Sequence, residues 1–397
     1  MERGLLRPPV LACFVLLGIE MGIWGSRIPE VRLQTGLSYG TLGIALFALP
    51  LATVLSLAFV SNAVIRHGSC AVLRVAVLAA PVSLIPVGFA RGLAMLALVL
   101  LLFGSALCLL NIAMNACAVD VEKTHQRPLM SSFHAAFSIG AIAGAGVGGV
   151  FAKLQWTPAT SFTVTGIALF VAGLALARAL GVDEATDPGA DDPAAPATDP
   201  NPAGIRRRDL HRAVLLLGTL AMFSAAAEGA MTDWSVVYLH DALNAATGPA
   251  SWGLTCFSAA VAAGRLAGNR LSARWGTVRL IQIGAAVAGS GLAAGVLSDT
   301  VPGMYLGLVL MGLGVSCVVP QIVSAAGHAP VGHPSRNIAV VTGLSTVGSL
   351  AGPVVIGAVA AAGGLTVAVT VPAALMLAVA AGGALIGDRS VQRPNKL

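Results

Sequence analysis

Residues 93–118 read LAMLALVLLLFGSALCLLNIAMNACA and contain no charged side chain. As a helix rising 1.5 Å per residue, the stretch is long enough to cross the roughly 30 Å hydrocarbon core of a bilayer. Working outward, comparable blocks occur near 8–28, 39–65 and 71–90 before it. After it they recur near 130–152, 157–179, 212–236, 250–270, 279–298, 302–326, 338–362 and 365–387, so twelve membrane crossings are predicted. The whole chain agrees: of 397 residues, 56% are hydrophobic and only 10% charged, with a mean hydropathy of +0.86. A soluble domain carries about 25% charged residues, so a soluble enzyme is excluded. A disordered chain, a collagen and a coiled coil are excluded by the aliphatic content and the missing repeats. Helical blocks without strand alternation also argue against an outer-membrane barrel. The expected class is an all-α membrane protein.

The first block follows Arg3 and Arg7 but runs on through Glu20 and Trp24 with no small-x-small cleavage site, so it is read as a retained span. The six cysteines form no CxxC pair and lie mostly within spans, as small buried hydrophobes do. No metal and no cofactor are expected.

Orientation follows from Lys and Arg, which concentrate on cytoplasmic loops. Placing both termini in the cytoplasm puts eighteen of the 23 basic residues inside and four outside, with Arg265 within a span. The net charge of +6 is therefore a topology signal, with no nucleic-acid partner implied. One long polar stretch, GVDEATDPGADDPAAPATDPNPAG (181–204), interrupts the apolar pattern. Its Pro, Asp and Ala content is that of a hydrated linker. The chain thus divides into a six-helix unit at 1–180, a cytoplasmic linker at 181–211, a second six-helix unit at 212–388 and a tail at 389–397.

The units match at a fixed offset of 208: Glu20 with Glu228, Arg66 with Arg274, Gly68 with Gly276, Gly104 with Gly312, Gly140 with Gly348 and Gly144 with Gly352. Six matches at one offset, one of them a rare intramembrane Glu pair, indicate a duplicated six-span unit. Together with WGSRIPEVR (24–32), NIAMNACAVDVE (111–122), RPLMSSFHAAFSIGAIAGAG (127–146), EGAMTDWSVVYL (228–239), AAGRLAGNRLSARWG (262–276) and STVGSLAGPVVIG (345–357), the chain resembles the major facilitator superfamily over essentially its whole length. In detail it is similar to the YbjJ-type branch related to fucose permeases. The resemblance implies two pseudo-symmetric six-helix bundles, a substrate site between them lined by the first, fourth, seventh and tenth spans, and alternating access. It also implies a monomer in the cytoplasmic membrane of a bacterium, with protons as the driving ion and symport or antiport as the mode.

Ionisable groups at membrane depth are expensive and point to function. Glu20 and Glu228 are the leading candidates for substrate binding or proton coupling, each against the alternative of a structural acid satisfied by a neighbouring helix. Trp24 lies one turn from Glu20, while Asp233 and Trp234 follow Glu228. A carboxylate beside an indole suits a polyhydroxylated ligand, though both tryptophans also fit an interfacial aromatic belt. Asn111 and Asn115 share a helical face and suit polar binding or interhelical hydrogen bonding, with Gln321 a further candidate. His134 suits a proton relay or an interfacial hydrogen bond.

For gating, Arg27 before Pro29 is read as a gate or anion-facing group or as a snorkelling headgroup contact. The superfamily's loop between the second and third spans resembles G-x-x-x-D-R-x-G. In this chain Arg66, Gly68, Arg274 and Gly276 fit it, while Ile65 and Ala273 replace the acid. Arg66 is then expected to pair with Asp120 or Glu122, and no equivalent acid follows in the second half. Arg265 joins the gating set as the cation within a span. Gly140 to Gly149 partly resemble a glycine motif of drug exporters, and helix packing explains the run equally well. No phosphate loop, HExxH or GxSxG is present, so an enzyme is not expected. The reading is a secondary active transporter of a sugar or small polar metabolite. The alternatives are proton-coupled efflux of a drug or natural product, and a membrane sensor that binds without transporting.

Overall fold

The computed structural model describes residues 7–125, 129–180, 207–327 and 334–390. Most of the expected linker and the tail beyond Ser390 lie outside them. The described chain is helical: α1 (Arg7–Ser26), the short α2 (Ile28–Thr35), α3 (Tyr39–His67), α4 (Ser69–Leu84, continued by a 3-10 turn to Phe89), α5 (Gly92–His125), α6 (Met130–Lys153) and α7 (Pro158–Ala179) form the first half. The second half holds α8 (Arg207–Val237, ending in a π turn, Tyr238–Ala242), α9 (Thr247–Trp275), α10 (Thr277–Leu297), α11 (Val301–Val315), α12 (Val318–Gly327) and α13 (Pro334–Ser390).

Ten described segments are long and apolar enough to cross a membrane. Two features bring the count to the expected twelve. Helix α13 turns at Gly364, whose φ of +85° is closed to most other residues, so its two limbs cross separately. Helix α9 is 29 residues long but falls short on apolarity because of its small, polar and basic residues. The expected span at 302–326 is present but interrupted at Ser316–Cys317, between α11 and α12. Helix α2 was not expected.

Side-chain caps start several helices. Ser38 Oγ accepts from the Thr41 amide, Thr157 Oγ1 from Thr160 and Thr300 Oγ1 from Gly303, each satisfying one of the free amides of a first turn. All three sit at the end of the bundle that carries α2, called here the short-helix end. Large apolar side chains such as Phe59, Leu55, Leu98, Val171 and Leu306 lie on the outer surface, as a hydrocarbon solvent requires.

The duplication is visible in the packing. Helix α1 packs on α6 and α8 on α13, while α3 packs on α5 and α9 on α11. Between membrane helices there is little hydrophobic drive, so backbones must approach closely to gain dispersion contacts. A β-carbon at Gly104 would lie 2.5 Å from the Leu49 carbonyl, and one at Gly312 2.6 Å from the Phe257 carbonyl. Leu49 and Phe257 are themselves 208 residues apart. Gly68 and Gly276, with φ of +80° and +78°, make the same turn at the same point of each half.

The halves meet along two seams, α3 with the first limb of α13 and α6 with α9. Gly43 and Gly357 form the first, where a β-carbon on Gly43 would stand 2.6 Å from the Pro353 carbonyl. Gly149 against Ser251 and Gly248 forms the second. Under the 208-residue offset Gly43 corresponds to Ser251 and Gly149 to Gly357, so the seams are pseudo-symmetric copies. Both lie toward the short-helix end.

Candidate functional site

Within the second half, Glu228 of α8 and Arg265 of α9 form an ion pair, Arg265 Nη2 to Glu228 Oε1, at 2.8 Å. Both remain accessible, with side chains 45% exposed for Arg265 and 25% for Glu228. A chamber of about 420 Å³ holds the pair together with Asp233, Thr232, Ser345 and Ser349. A second chamber of about 470 Å³ adjoins it, sharing Arg265 and Pro320 and bringing in His134, Ser138 and Gln321. His134 reaches it from α6 of the first half, its ring edge-on to Phe14 at 5.6 Å. Gln321 Oε1 accepts a 2.9 Å hydrogen bond from Ser272. Five expected residues, Glu228, Asp233, Arg265, His134 and Gln321, thus converge on one region between the two bundles.

The others lie elsewhere. Glu20 is completely buried, and neither carboxyl oxygen has a hydrogen-bond partner among the described residues. Its pseudo-symmetric mate Glu228 has Arg265, whereas the position equivalent to Arg265 in the first half is Leu57. Trp24 faces inward within the first bundle, its ring 6.4 Å from Phe103 and 6.3 Å from Phe162. Trp234 is fully buried and packs edge-on against Tyr39 of the opposite half at 6.4 Å. Neither indole is exposed on the outer surface. Asn115 Nδ2 donates to Asn111 Oδ1 at 2.6 Å and to the Asn111 carbonyl at 2.8 Å, so the two amides hold each other; Asn111 is exposed.

The gating residues also differ from their expected arrangement. Arg27 is buried within its own half, where it pairs with Glu30 at 3.0 Å and donates to the Trp156 carbonyl. Burial pushes the Glu30 carboxyl up, and the Arg27 guanidinium beside it holds that rise back. Asp120 accepts from Ser69 Oγ at 2.8 Å, and the Leu129 amide donates to Glu122. Arg66 and Arg274 are exposed. The residues that bind one half to the other are Arg32 and Asp241, which sequence reasoning did not single out. Arg32 Nη2 meets Asp241 Oδ2 at 2.7 Å, Tyr39 Oη donates to the same oxygen at 3.3 Å, and His240 Nδ1 lies 2.6 Å from Oδ1. Arg32 also stacks over the Tyr39 ring at 4.7 Å. A further cross-half hydrogen bond runs from Ser251 Oγ to the Ser26 carbonyl at 3.2 Å. The short-helix end is therefore fastened by an ionic latch above two glycine seams. A sequence signal existed: Arg32 and His240 are equivalent under the offset, and near-equivalent residues close to a pseudo-two-fold axis face each other across it.

Known proteins place this geometry. The sequence profile of the Major Facilitator Superfamily matches residues 10–246 and again 216–397. The chain is 34% identical over 357 residues to the transporter y4wD of Sinorhizobium fredii, covering 88% of this chain and 91% of that one. It is 30% identical over 370 residues to an MFS-type transporter of Yersinia pestis, covering 93% and 92%. Membrane protein MosC of Rhizobium meliloti is 25% identical over 356 residues, covering 89% of this chain and 83% of that protein. Among solved structures, a mutant of the nucleoside transporter NupG superposes with a TM-score of 0.76 at 12% identity, covering 95% of this chain and 99% of that one. A bacterial homolog of the human lysosomal transporter Spinster, in an inward-facing and unoccupied conformation, gives 0.74 at 13% identity with 98% of both chains covered. The chain belongs to the Major Facilitator Superfamily and is a multi-pass membrane transporter, not an enzyme.

Proposed function

We propose that the chain is a proton-coupled secondary active transporter that carries a small polar metabolite by alternating access through the chambers around Glu228 and Arg265. The observation that carries this reading is an accessible ion pair within the second bundle's spans, 2.8 Å long, whose arginine also borders a chamber that the first bundle shares through His134. An ion pair costs solvation in such a place, and one left open lets a solute or a proton compete for either partner. Glu228 and Asp233 are the acids in reach of that competition. Glu20, fully buried with neither carboxyl oxygen hydrogen-bonded among the described residues, lies outside the chambers.

The bias of basic residues supports a cytoplasmic position for both termini in a bacterium. The short-helix end then faces outward, and the latched conformation is inward-facing, in keeping with the likeness to the inward-facing Spinster homolog. Gly140, Gly144 and Gly149 are each accounted for by helix packing, so the glycine run gives no ground for preferring drug efflux.

The test is flux in proteoliposomes containing the purified chain. With an imposed pH gradient, a transported solute should accumulate, and Glu228→Gln should abolish that accumulation while leaving exchange of labelled for unlabelled solute in place. Gradient-driven accumulation that survives Glu228→Gln unchanged would remove Glu228 from the coupling step. Binding of a solute without flux in the unaltered chain would favour a sensor instead.

A further inference from the structure

The two chambers that share Arg265 differ in chemistry. The smaller holds both acids, Glu228 and Asp233. The larger is bordered by no carboxylate among the described residues. Its polar groups are dominated by donors: the Arg265 guanidinium, the His134 ring and the Gln321 amide. Gln321 Oε1 already accepts from Ser272, which leaves its NH2 as the open edge. Arg265 gives one hydrogen bond to Glu228, and a guanidinium has five N–H groups in a rigid fork. The interruption at Ser316–Cys317 sets the first turn of α12, with Pro320 and Gln321, against the same chamber. The remaining wall is apolar, formed by Ile139, Ile142 and Leu266.

We propose that the larger chamber binds an organic carboxylate, its charged end on Arg265 and a compact apolar body against Ile139, Ile142 and Leu266. This rests on the transport reading above and names the substrate class within it. An amine would approach a fixed cation, and a neutral isostere would leave the guanidinium without a counter-charge on this side; both are selected against. A carboxylate that takes Arg265 in bidentate fashion deprives Glu228 of its partner. The groups sharing the Glu228 chamber are Ala225, Gly229, Thr232 and Asp233 from its own helix, Arg265 from α9, Ser345 and Ser349 from α13, and Val319 and Pro320 from the α12 side. None besides Arg265 is a cation, so Glu228 takes up a proton when its partner leaves. Anion and proton are then bound together, and their combined charge is zero.

The experiment uses three probes of one shape on the purified full chain: phenylacetate, phenylacetamide and phenethylamine, with hexanoate as a second acid. Equilibrium binding should be saturable for the acids and at least about tenfold weaker for the amide and amine, the loss expected when a charge-assisted hydrogen bond is missing. Arg265→Gln should weaken phenylacetate at least about tenfold, and Arg265→Lys should retain part of the affinity. Size-exclusion profiles show whether each variant is folded. Phenylacetate binding should also take up one proton, and that uptake should disappear in Glu228→Gln. The inference is overturned if neither acid binds, if the amide or amine binds as well as phenylacetate, or if Arg265→Gln leaves phenylacetate affinity unchanged. Gradient-driven flux of an uncharged or cationic solute that phenylacetate does not inhibit would sink the anion assignment and leave the transport reading standing. Absence of flux for bound solutes would sink the transport reading itself.

Discussion

Asp241→Asn is expected to release the short-helix end and shift the protein toward a conformation open on that side. Asp241 is the acceptor on which three groups converge: Arg32 at 2.7 Å, Tyr39 at 3.3 Å and His240 at 2.6 Å. The substitution leaves Arg32 facing a neutral amide, with side chains only 16% and 8% exposed for Arg32 and Asp241. Removing one member of a buried pair costs about 3–5 kcal/mol. Residual exposure places this site toward the lower value, still a change on the order of a hundredfold in the ratio of the two conformations. The penalty falls on the latched state alone, because in the open state both groups are hydrated. Ser251 reports the change, since it is buried in the seam beside Gly149. With Ser251→Cys as a marker, a membrane-impermeant maleimide should react about a hundred times faster in the Asp241→Asn background and at the original rate with Asp241→Glu. An unchanged rate would mean that the latch is not what keeps this end closed.

Gly140→Val should prevent assembly of the first bundle. A β-carbon at Gly140 would lie 2.2 Å from the Val15 carbonyl, and one at Gly144 2.3 Å from the Ile19 carbonyl one turn on. Both obstacles are backbone atoms, so no rotamer change relieves the clash, and α1 must move away from α6. Overpacking alone costs about 1–3 kcal/mol; separating two membrane helices adds the dispersion contacts that held them. A total of at least about 3 kcal/mol is expected, seen as loss of monodisperse protein after detergent extraction. Gly348→Val should behave alike, because its β-carbon would stand 2.1 Å from the Met222 carbonyl. Gly146 is the control: nothing lies within 4 Å of a β-carbon there, and Gly146→Ala should change stability by no more than about 0.5 kcal/mol. Equal yields for Gly140→Val and Gly146→Ala would show that the close approach of α1 and α6 is not needed.

Much of this architecture was legible because the physics behind it is one-dimensional. Block length counts crossings, and a fixed offset of 208 residues reveals duplication, without any knowledge of contacts. What stayed hidden depends on rotation and on distant partners. Trp24 and Glu20 share a helical face, as their spacing says, but spacing does not say that this face turns into the first bundle instead of toward the chambers. Glu20 and Glu228 occupy equivalent positions and differ because Arg265 has Leu57 as its counterpart, a comparison that matters only once α8 is seen to pack on α9. The Arg32–Asp241 pair joins residues on different halves, and no local pattern marks it. Arg66 carried a family expectation, and the loop keeps the turn glycines Gly68 and Gly276 while lacking the acid that would hold the arginine. The break at Ser316–Cys317 lies in an otherwise apolar run, where hydropathy is blind to helix continuity.

The glycine seams also set how strongly the two bundles stick. Gly43 against Gly357, and Gly149 against Gly248 and Ser251, bring backbone to backbone with almost no side chain between them. When such a joint parts, little apolar area becomes wet, at about 25 cal/mol for each Å², and the carbonyls beside it regain water. The joint is thus watertight while closed yet weakly adhesive. The strength of closure at this end resides in the charged groups above it and in the contact of Trp234 with Tyr39, and a bundle with leucines along the glycine lines would be held shut however its latch was tuned.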